Sequence, residues 1–295
     1  MATIAEQLTS LAETKTAIKD AIVAKGVEVA DTDTFRSYAD KIGQIQAGGG
    51  EPATKFGASV DTWIGDVDAN GVLSRTTWKS ALNFAGVKEI GDLGLQYTFY
   101  GNKGITSVDL SSLQNVGYYG MFYAFSSCDS ITSVDLSSLQ SVGSSGMQNA
   151  FYYCAGLKSV DLSSLQSVGS YGMYYAFNSC TGLTSVDLSS LQSVGSNGMQ
   201  NVFQSCVSIT SVNLSSLQSV GTNGLYYAFY GCKKLTTISF PSLTSVQSSG
   251  LNYAFQSCTA LTEIHFRADM QATIEALTGY SSKFGGTNAT IYFDL

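Results

Sequence analysis

The sequence predicts an α/β solenoid of 26-residue coils, each a short parallel strand followed by a short helix. Three observations predict it. Cysteines stand at 128, 154, 180, 206, 232 and 258, each 26 residues after the one before. At the same period Phe99, Phe125, Phe151, Phe177, Phe203, Phe229 and Phe255 form one file, and Val108, Val134, Val160, Val186, Val212, Ile238 and Ile264 form another. Within each unit the apolar spacing then changes from two residues to three and four. Units of this kind bury their apolar faces only against stacked neighbours, and roughly seven can be counted, the first traced back to about Leu82.

The elements follow in chain order. Residues 1–46 read as a helical attachment or oligomerisation segment. Ile4, Leu8, Leu11, Ile18 and Ile22 lie on a heptad seam interrupted by Lys15, which suits either a bundled helical oligomer or a lone amphipathic helix on its own neighbour. A second helix is expected around Asp33 to Ile42, capped by Thr32 or Asp33. Residues 47–55, with Gly48, Gly49, Gly50 and Pro52, form a flexible linker. Residues 56–78 read as a β-hairpin and N-terminal cap that turns at Asn70-Gly71. Asp66-x-Asp68-x-Asn70-Gly71 imitates the start of a calcium loop, but Thr77 stands where such a loop has glutamate, so the hairpin is preferred.

The solenoid covers residues 79–266. Its best-preserved unit, LTSVDLSSLQSVGSNGMQNVFQSC, runs from Leu183 to Cys206. Val186 points inward, Asp187 outward and Leu188 inward, as on a short strand, and Leu191 and Val194 turn the corner. Met173, Ala176, Phe177 and Cys180 then fall on one face of a short helix. Ser170, Ser196 and Thr222 precede that stripe as candidate helix caps, and Gly172 suits close approach between coils. The cysteines read as buried free thiols acting as small hydrophobes. Asn102 holds the same column one coil earlier, so the site tolerates some polarity. Residues 267–295 depart from the repeat and form a C-terminal cap, with a helix at 270–277 and a strand at 289–293.

Segments such as LTSVDLSSLQSVG and LTTISFPSLTSVQSSGLNYAFQSCTALTEI resemble BspA-like leucine-rich repeats of bacterial and phage surface proteins. The shared columns are Leu-x-x-Val/Ile-x-Leu, Val-Gly and Ala-Phe-x-x-Cys, from about residue 80 to 266. The resemblance implies a right-handed solenoid used for adhesion, without catalysis. The unit here is longer than the usual form, and the extra residues around Gly-Met are expected to make a helix in place of a tighter turn. A helical start, a glycine linker and the hairpin GDVDANGVL also resemble N-terminal pieces of gut-phage tail proteins.

Composition narrows the function. A net charge of −7, with 13% charged residues and no basic stripe, argues against nucleic-acid binding. The start, MATIAEQLTSLAE, has neither the basic residues nor the apolar core of a secretory signal, and no apolar run suits membrane insertion. A virion location in a phage tail, with assembly in the host cytoplasm, is therefore expected. No catalytic residue, metal site or cofactor is expected. The single histidine, His265, reads as an exposed repeat substituent, and no Cys-x-x-Cys pair suggests zinc. Asp109, Asp135, Asp161 and Asp187 form an acidic file that could attract a cation, but solvation by neighbouring hydroxyls and water is the preferred reading.

Binding is sought where the repeat varies. On the outer helix face the non-repeating columns draw on Tyr, Asn, Gln and Ser, the palette of adaptable recognition surfaces. The candidate ligand-binding residues are Tyr123, Tyr152, Tyr153, Tyr174, Tyr175, Tyr226, Tyr227 and Tyr253. Aromatic rings beside amides suit stacking on sugars, although tyrosines of adjacent coils could simply pack together. The expected function is non-enzymatic adhesion or receptor binding by a phage tail protein, directed at a bacterial surface glycan or protein. Residues 1–46 would hold other tail proteins or a homo-oligomer such as a trimer. The alternatives are a structural virion or spacer protein without a ligand, and a cytoplasmic protein-interaction scaffold.

Overall fold

The computed structural model describes residues 81–295 except 85, 278, 279, 281 and 282. The expected helical segment, linker, hairpin and calcium-like stretch lie outside the described residues. From residue 81 onward the chain is a parallel β-solenoid of 26-residue coils, with eight turns visible as successive first strands. These are β1 (Ala81–Asn83), β3 (Ser107–Asp109), β5 (Ser133–Asp135), β7 (Ser159–Asp161), β9 (Ser185–Asp187), β11 (Ser211–Asn213), β13 (Thr237–Phe240) and β15 (Glu263–Phe266). The first six make one parallel sheet in strict register, Val108 opposite Val134 and Asp109 opposite Asp135. In β9 only Val186 of Ser-Val-Asp is buried, and Leu188 beyond it is buried too, as the alternation requires.

Each coil carries a second strand where the sequence indicates only a corner. Glu89–Ile90, Asn115–Val116, Ser141–Val142, Ser167–Val168, Ser193–Val194, Ser219–Val220 and Ser245–Val246 are β2, β4, β6, β8, β10, β12 and β14. They form a separate seven-stranded parallel sheet that buries the Val194 column. The strands are two residues long, too short for a period-2 pattern to show in the sequence.

The expected helix is absent from every described coil, which corrects the α/β assignment. Its place is taken by a ribbon of successive tight turns whose hydrogen bonds alternate. Gly172, Tyr174, Ala176, Asn178 and Cys180 donate their N–H groups three residues back, to the carbonyls of Gly169, Tyr171, Met173, Tyr175 and Phe177. Met173, Tyr175, Phe177 and Ser179 donate forward, to Gly198, Gln200, Val202 and Gln204 of the next coil. Every fourth residue is left-handed: Tyr171, Tyr175 and Ser179 have φ of 55°, 55° and 60°. Each backbone group is thus satisfied without a helix. The residues expected as helix caps take part through their carbonyls, since Ser170, Ser196 and Thr222 accept from Ser145, Tyr171 and Asn197.

Spacing explains the preference. Strands pair at about 4.8 Å, whereas packed helices need about 8–10 Å between axes. A helix in every coil would force the two sides of the stack to diverge. The ribbon keeps the strand spacing: ring centroids along the phenylalanine file are 5.0, 5.2, 5.3, 5.7, 5.8 and 5.7 Å apart. Met173, Ala176, Phe177 and Cys180 are buried as their spacing predicts, but by a turn ribbon that happens to share the helical interval. Gly172 does serve close approach. A Cβ there would lie 3.0 Å from the Gly169 carbonyl oxygen and 3.1 Å from that of Gly143 in the coil before.

After residue 266 the chain leaves the repeat, with a helix inside the expected 270–277 and a strand inside the expected 289–293. A 3-10 turn at Ala268–Met270 leads into α1 (Gln271–Glu275), and β16 (Thr290–Phe293) pairs parallel with β15, Glu263 opposite Thr290 and Phe266 opposite Phe293. Phe284 covers the end of the phenylalanine file, edge-on to Phe255 at 6.2 Å.

Candidate functional site

All eight candidate tyrosines lie on the turn ribbons, on one side of the stack, where the left-handed residues place them. One column holds Tyr97, Tyr123, Asn149, Tyr175, Asn201, Tyr227 and Tyr253, every one with φ between 52° and 58°. Asparagine tolerates this backbone region better than most residues, and tyrosine must be held there by its surroundings. Coil-to-coil hydrogen bonds at each of these N–H groups do so for Tyr97, Tyr123, Asn149, Tyr175, Asn201 and Tyr227.

The tyrosines group into three clusters. Tyr123 stacks on Tyr97 at 5.1 Å and 13° between planes, with Tyr100 and Phe122 against them. Tyr152 meets Tyr153 edge-on at 4.4 Å, Tyr174 meets Tyr175 at 4.5 Å, and Tyr171 joins Tyr174. Tyr226 and Tyr227 meet at 4.6 Å, and Tyr227 stacks on Tyr253 at 5.0 Å with Tyr230 beside it. The rings pack on one another, and Tyr153, Tyr171 and Tyr253 remain 49%, 44% and 38% exposed. Burial first, and then the Tyr153 hydrogen bond, push the Tyr152 hydroxyl up to about 12; burial and the neighbouring Tyr175 do the same for Tyr174. These hydroxyls stay protonated at neutral pH. Tyr97, Tyr100, Tyr171 and Tyr230 belong to the same surface but were not among the sequence candidates. Tyr97 stands in the 26-residue column of Tyr123 and Tyr175, and Tyr100 and Tyr230 in that of Tyr152, so the period alone could have found these three; Tyr171 belongs to a separate column with Tyr119.

The acidic file is in register but serves the backbone. Asp109, Asp135, Asp161 and Asp187 each accept a hydrogen bond from the N–H two residues on, at 3.0, 3.0, 3.0 and 2.9 Å. Asn213 does the same from the next coil, at 3.1 Å, so this turn bond takes a side-chain oxygen without needing its charge. The serines and aspartates line an open trough of about 680 Å³ on the strand face. Among the described residues no three His, Cys, Asp or Glu side chains converge to hold a metal ion.

The six cysteines are buried and free. They are more than small hydrophobes, because each thiol donates to the carbonyl of the phenylalanine 29 residues earlier; Cys180 reaches Phe151 at 3.2 Å and Cys206 reaches Phe177 at 3.1 Å. Burial pushes the Cys128, Cys206 and Cys258 thiols up to about 12 and holds the other three above the usual range as well. His265 is half-buried in place of exposed. It stacks on Tyr292 at 4.8 Å and shares a 2.9 Å hydrogen bond with Asp294, which raises its pKa against the opposing effect of burial. No helix among the described residues is long and apolar enough to cross a membrane.

The repeat columns match a known family model. The BspA type leucine rich repeat region fits residues 88–224 and 173–281, together more than half of the chain. The chain belongs to the BspA-type leucine-rich repeat family. No curated protein matches it. Among solved structures, a leucine rich cell surface protein of Faecalibacterium prausnitzii A2-165 is 21% identical, with a TM-score of 0.46 over 70% of this chain and 53% of its own. A leucine-rich repeat protein of Bacteroides ovatus ATCC 8483 is 18% identical, with a TM-score of 0.36 over 72% of this chain and 62% of its own. This chain thus spans 53% and 62% of the lengths of those two proteins.

Within this BspA-type solenoid the invariant columns are accounted for by packing and backbone bonding. Leu, Val, Phe and Cys fill the core, Asp and Gly hold turns and close contacts, and Ser-Val builds the second sheet. The ribbon face varies from coil to coil, as do the two residues after each cysteine, Asp129-Ser130, Ala155-Gly156, Thr181-Gly182, Val207-Ser208 and Lys233-Lys234.

Proposed function

We propose that this BspA-type solenoid is a non-enzymatic adhesion or receptor-binding protein of a phage tail, directed at a bacterial surface glycan or protein. The observation that carries the adhesion reading is the division of labour between columns. Residues that the fold needs recur at every coil, while the paired positions Phe122-Tyr123, Gln148-Asn149, Tyr174-Tyr175, Gln200-Asn201, Tyr226-Tyr227 and Asn252-Tyr253 change from coil to coil on one face. Tyrosine supplies broad contact at small entropy cost, and the amides supply adaptable hydrogen bonding. The phage-tail assignment is supported by the resemblance of the helical start, glycine linker and GDVDANGVL hairpin to tail proteins, with residues 1–46 attaching or oligomerising the protein.

The test is whole-cell binding of the labelled full chain to a panel of gut bacteria, against a variant with Tyr174→Gln and Tyr175→Asn. That pair already occurs as Gln148-Asn149 and Gln200-Asn201, so the fold tolerates it. Strain-selective binding that weakens in the variant supports recognition by the ribbon face. Binding unchanged in the variant moves recognition to another face, and no binding to any strain favours a spacer role.

A further inference from the structure

We propose that the hollow between Tyr175 and Tyr227, floored by Asn201, takes a single pyranose ring of a surface glycan. The inference rests on the adhesion reading and names the ligand class at one place on that face. Where tyrosines follow one another in the left-handed column, as at Tyr227 and Tyr253, their rings stack 5.0 Å apart and 15° from parallel. Asn201 interrupts the column, so Tyr175 and Tyr227 stand two coils apart, about 10 Å at the spacing of paired strands. The gap has the width of one missing ring.

Asn149 makes the same interruption, yet that gap is closed. Three residues on, Tyr152 packs against Tyr175 with centroids 6.2 Å apart. Three residues after Asn201 stands Gln204, narrow and flexible, and the gap stays open as a hollow of about 470 Å³ between Tyr175 and Tyr227, rimmed by Gln200, Gln204 and Gln256. The two interruptions differ in the bulk beside them: Tyr152 and Tyr153 follow Asn149, whereas Gln204 and Ser205 follow Asn201.

The floor of the hollow is polar. Asn201 is 4% exposed; its amide nitrogen donates to Gln204 Oε1, and its Oδ1 is buried with no hydrogen-bond partner. Buried acceptors without donors are rare in folded proteins, and Asn252 Oδ1 is in the same state; at Asn201 a ligand in the adjoining hollow could bring a hydrogen to the amide once Gln204 moves. Gln204 rides on a long stem and can swing aside. A pyranose ring then meets both demands. Its C–H faces stack on the two tyrosines, and its in-plane hydroxyls, each donor and acceptor, match Asn201 Oδ1 and Nδ2 and the glutamine rim. An anionic ligand fits poorly, because the floor offers an unmet acceptor and the chain carries a net charge of −7.

The test titrates the full chain with methyl pyranosides of gluco, galacto, manno and N-acetylgluco configuration, read by saturation-transfer NMR. At least one is expected to bind with a dissociation constant on the order of 1 mM. Asn201→Tyr, which restores the tyrosine column, and Gln204→Tyr, which copies Tyr152, should each weaken binding by about tenfold or more with the melting temperature kept. Both put into the slot a residue that other coils carry in the same column. Absence of binding by all four sugars, or binding unchanged in both variants, overturns the proposal. So does binding of tyrosine amide or phenylalanine amide in their place, which would assign a protein ligand. Strain-selective cell binding that survives Asn201→Tyr overturns the slot and leaves adhesion standing. Pyranoside binding lost in the variants, with no cell bound by the full chain, supports the slot and removes the adhesion reading.

Discussion

Replacing Gly172 with alanine separates the turn ribbon from a helix by the sign of its effect. In the interior of an α-helix the change would stabilise, since alanine exceeds glycine there by about 1 kcal/mol. In the ribbon the added Cβ would lie 2.8 Å from Val168 Cγ1, 3.0 Å from the Gly169 carbonyl oxygen and 3.1 Å from that of Gly143. None of the three can retreat freely. Val168 is buried, Gly169 accepts the N–H of Gly172 itself, and Gly143 accepts that of Gly146 in the preceding coil. Relieving the contacts means parting two coils locally by a few tenths of an ångström, an overpacking cost of about 1–3 kcal/mol. At about 2–4 °C per kcal/mol for a domain of this size, melting should fall by roughly 2–12 °C. Thermal unfolding followed by circular dichroism, with urea midpoints alongside, measures it. A melting temperature raised by the substitution would refute the ribbon and restore the helix.

The remaining predictions probe other columns. Ser205 has φ of 61°, and Gly101 and Gly231 hold the same column at 69° and 71°; Ser205→Gly should therefore range from neutral to a gain of about 1 kcal/mol by urea unfolding. A loss of that size would contradict a left-handed backbone there. Asp187→Asn should leave stability unchanged, as Asn213 already does the same work, whereas Asp187→Ala should cost about 1 kcal/mol by removing the acceptor for the Ser189 N–H. Equal losses from both would mean that the charge itself matters. The native thiols should resist a thiol-reactive probe at neutral pH and all react once unfolded. Because the folded pKa of Cys206, about 12, lies above an unfolded value of about 8.5, its contribution is complete below about pH 8.5 and is lost as pH rises toward 12. Alkaline unfolding should accordingly be shallower in Cys206→Ala.

Much of the architecture was legible because its causes repeat. Val186, Asp187 and Leu188 alternate as a strand must, and the 26-residue period places each of them against its own copy. The cap helix and β16 were legible as well, since amphipathic spacing and a β-branched run are local signals. The helix expectation failed at Met173, Ala176, Phe177 and Cys180, where the burial was right and the backbone was not. A three-and-four apolar interval fits both a helix and a chain of tight turns, and only the partner of each N–H tells them apart. The aspartate file shows the same limit: its register followed from the sequence, while the turn bond made by each carboxylate did not.

By itself the sequence determined the coil length, the buried columns, the free state of the cysteines and the ring-and-amide makeup of the variable face. Tertiary structure alone decided that alternate ribbon N–H groups bond to the next coil, and that the phenylalanine file therefore keeps a spacing of 5.0 to 5.8 Å. It also decided what the neighbours of Asn149 and Asn201 do in space: Tyr152 packs against Tyr175, while a hollow lies beside Gln204. Local spacing records which residues are buried. Which neighbour satisfies a backbone group, and what a side chain three residues away fills, depends on coils that meet only in the folded stack.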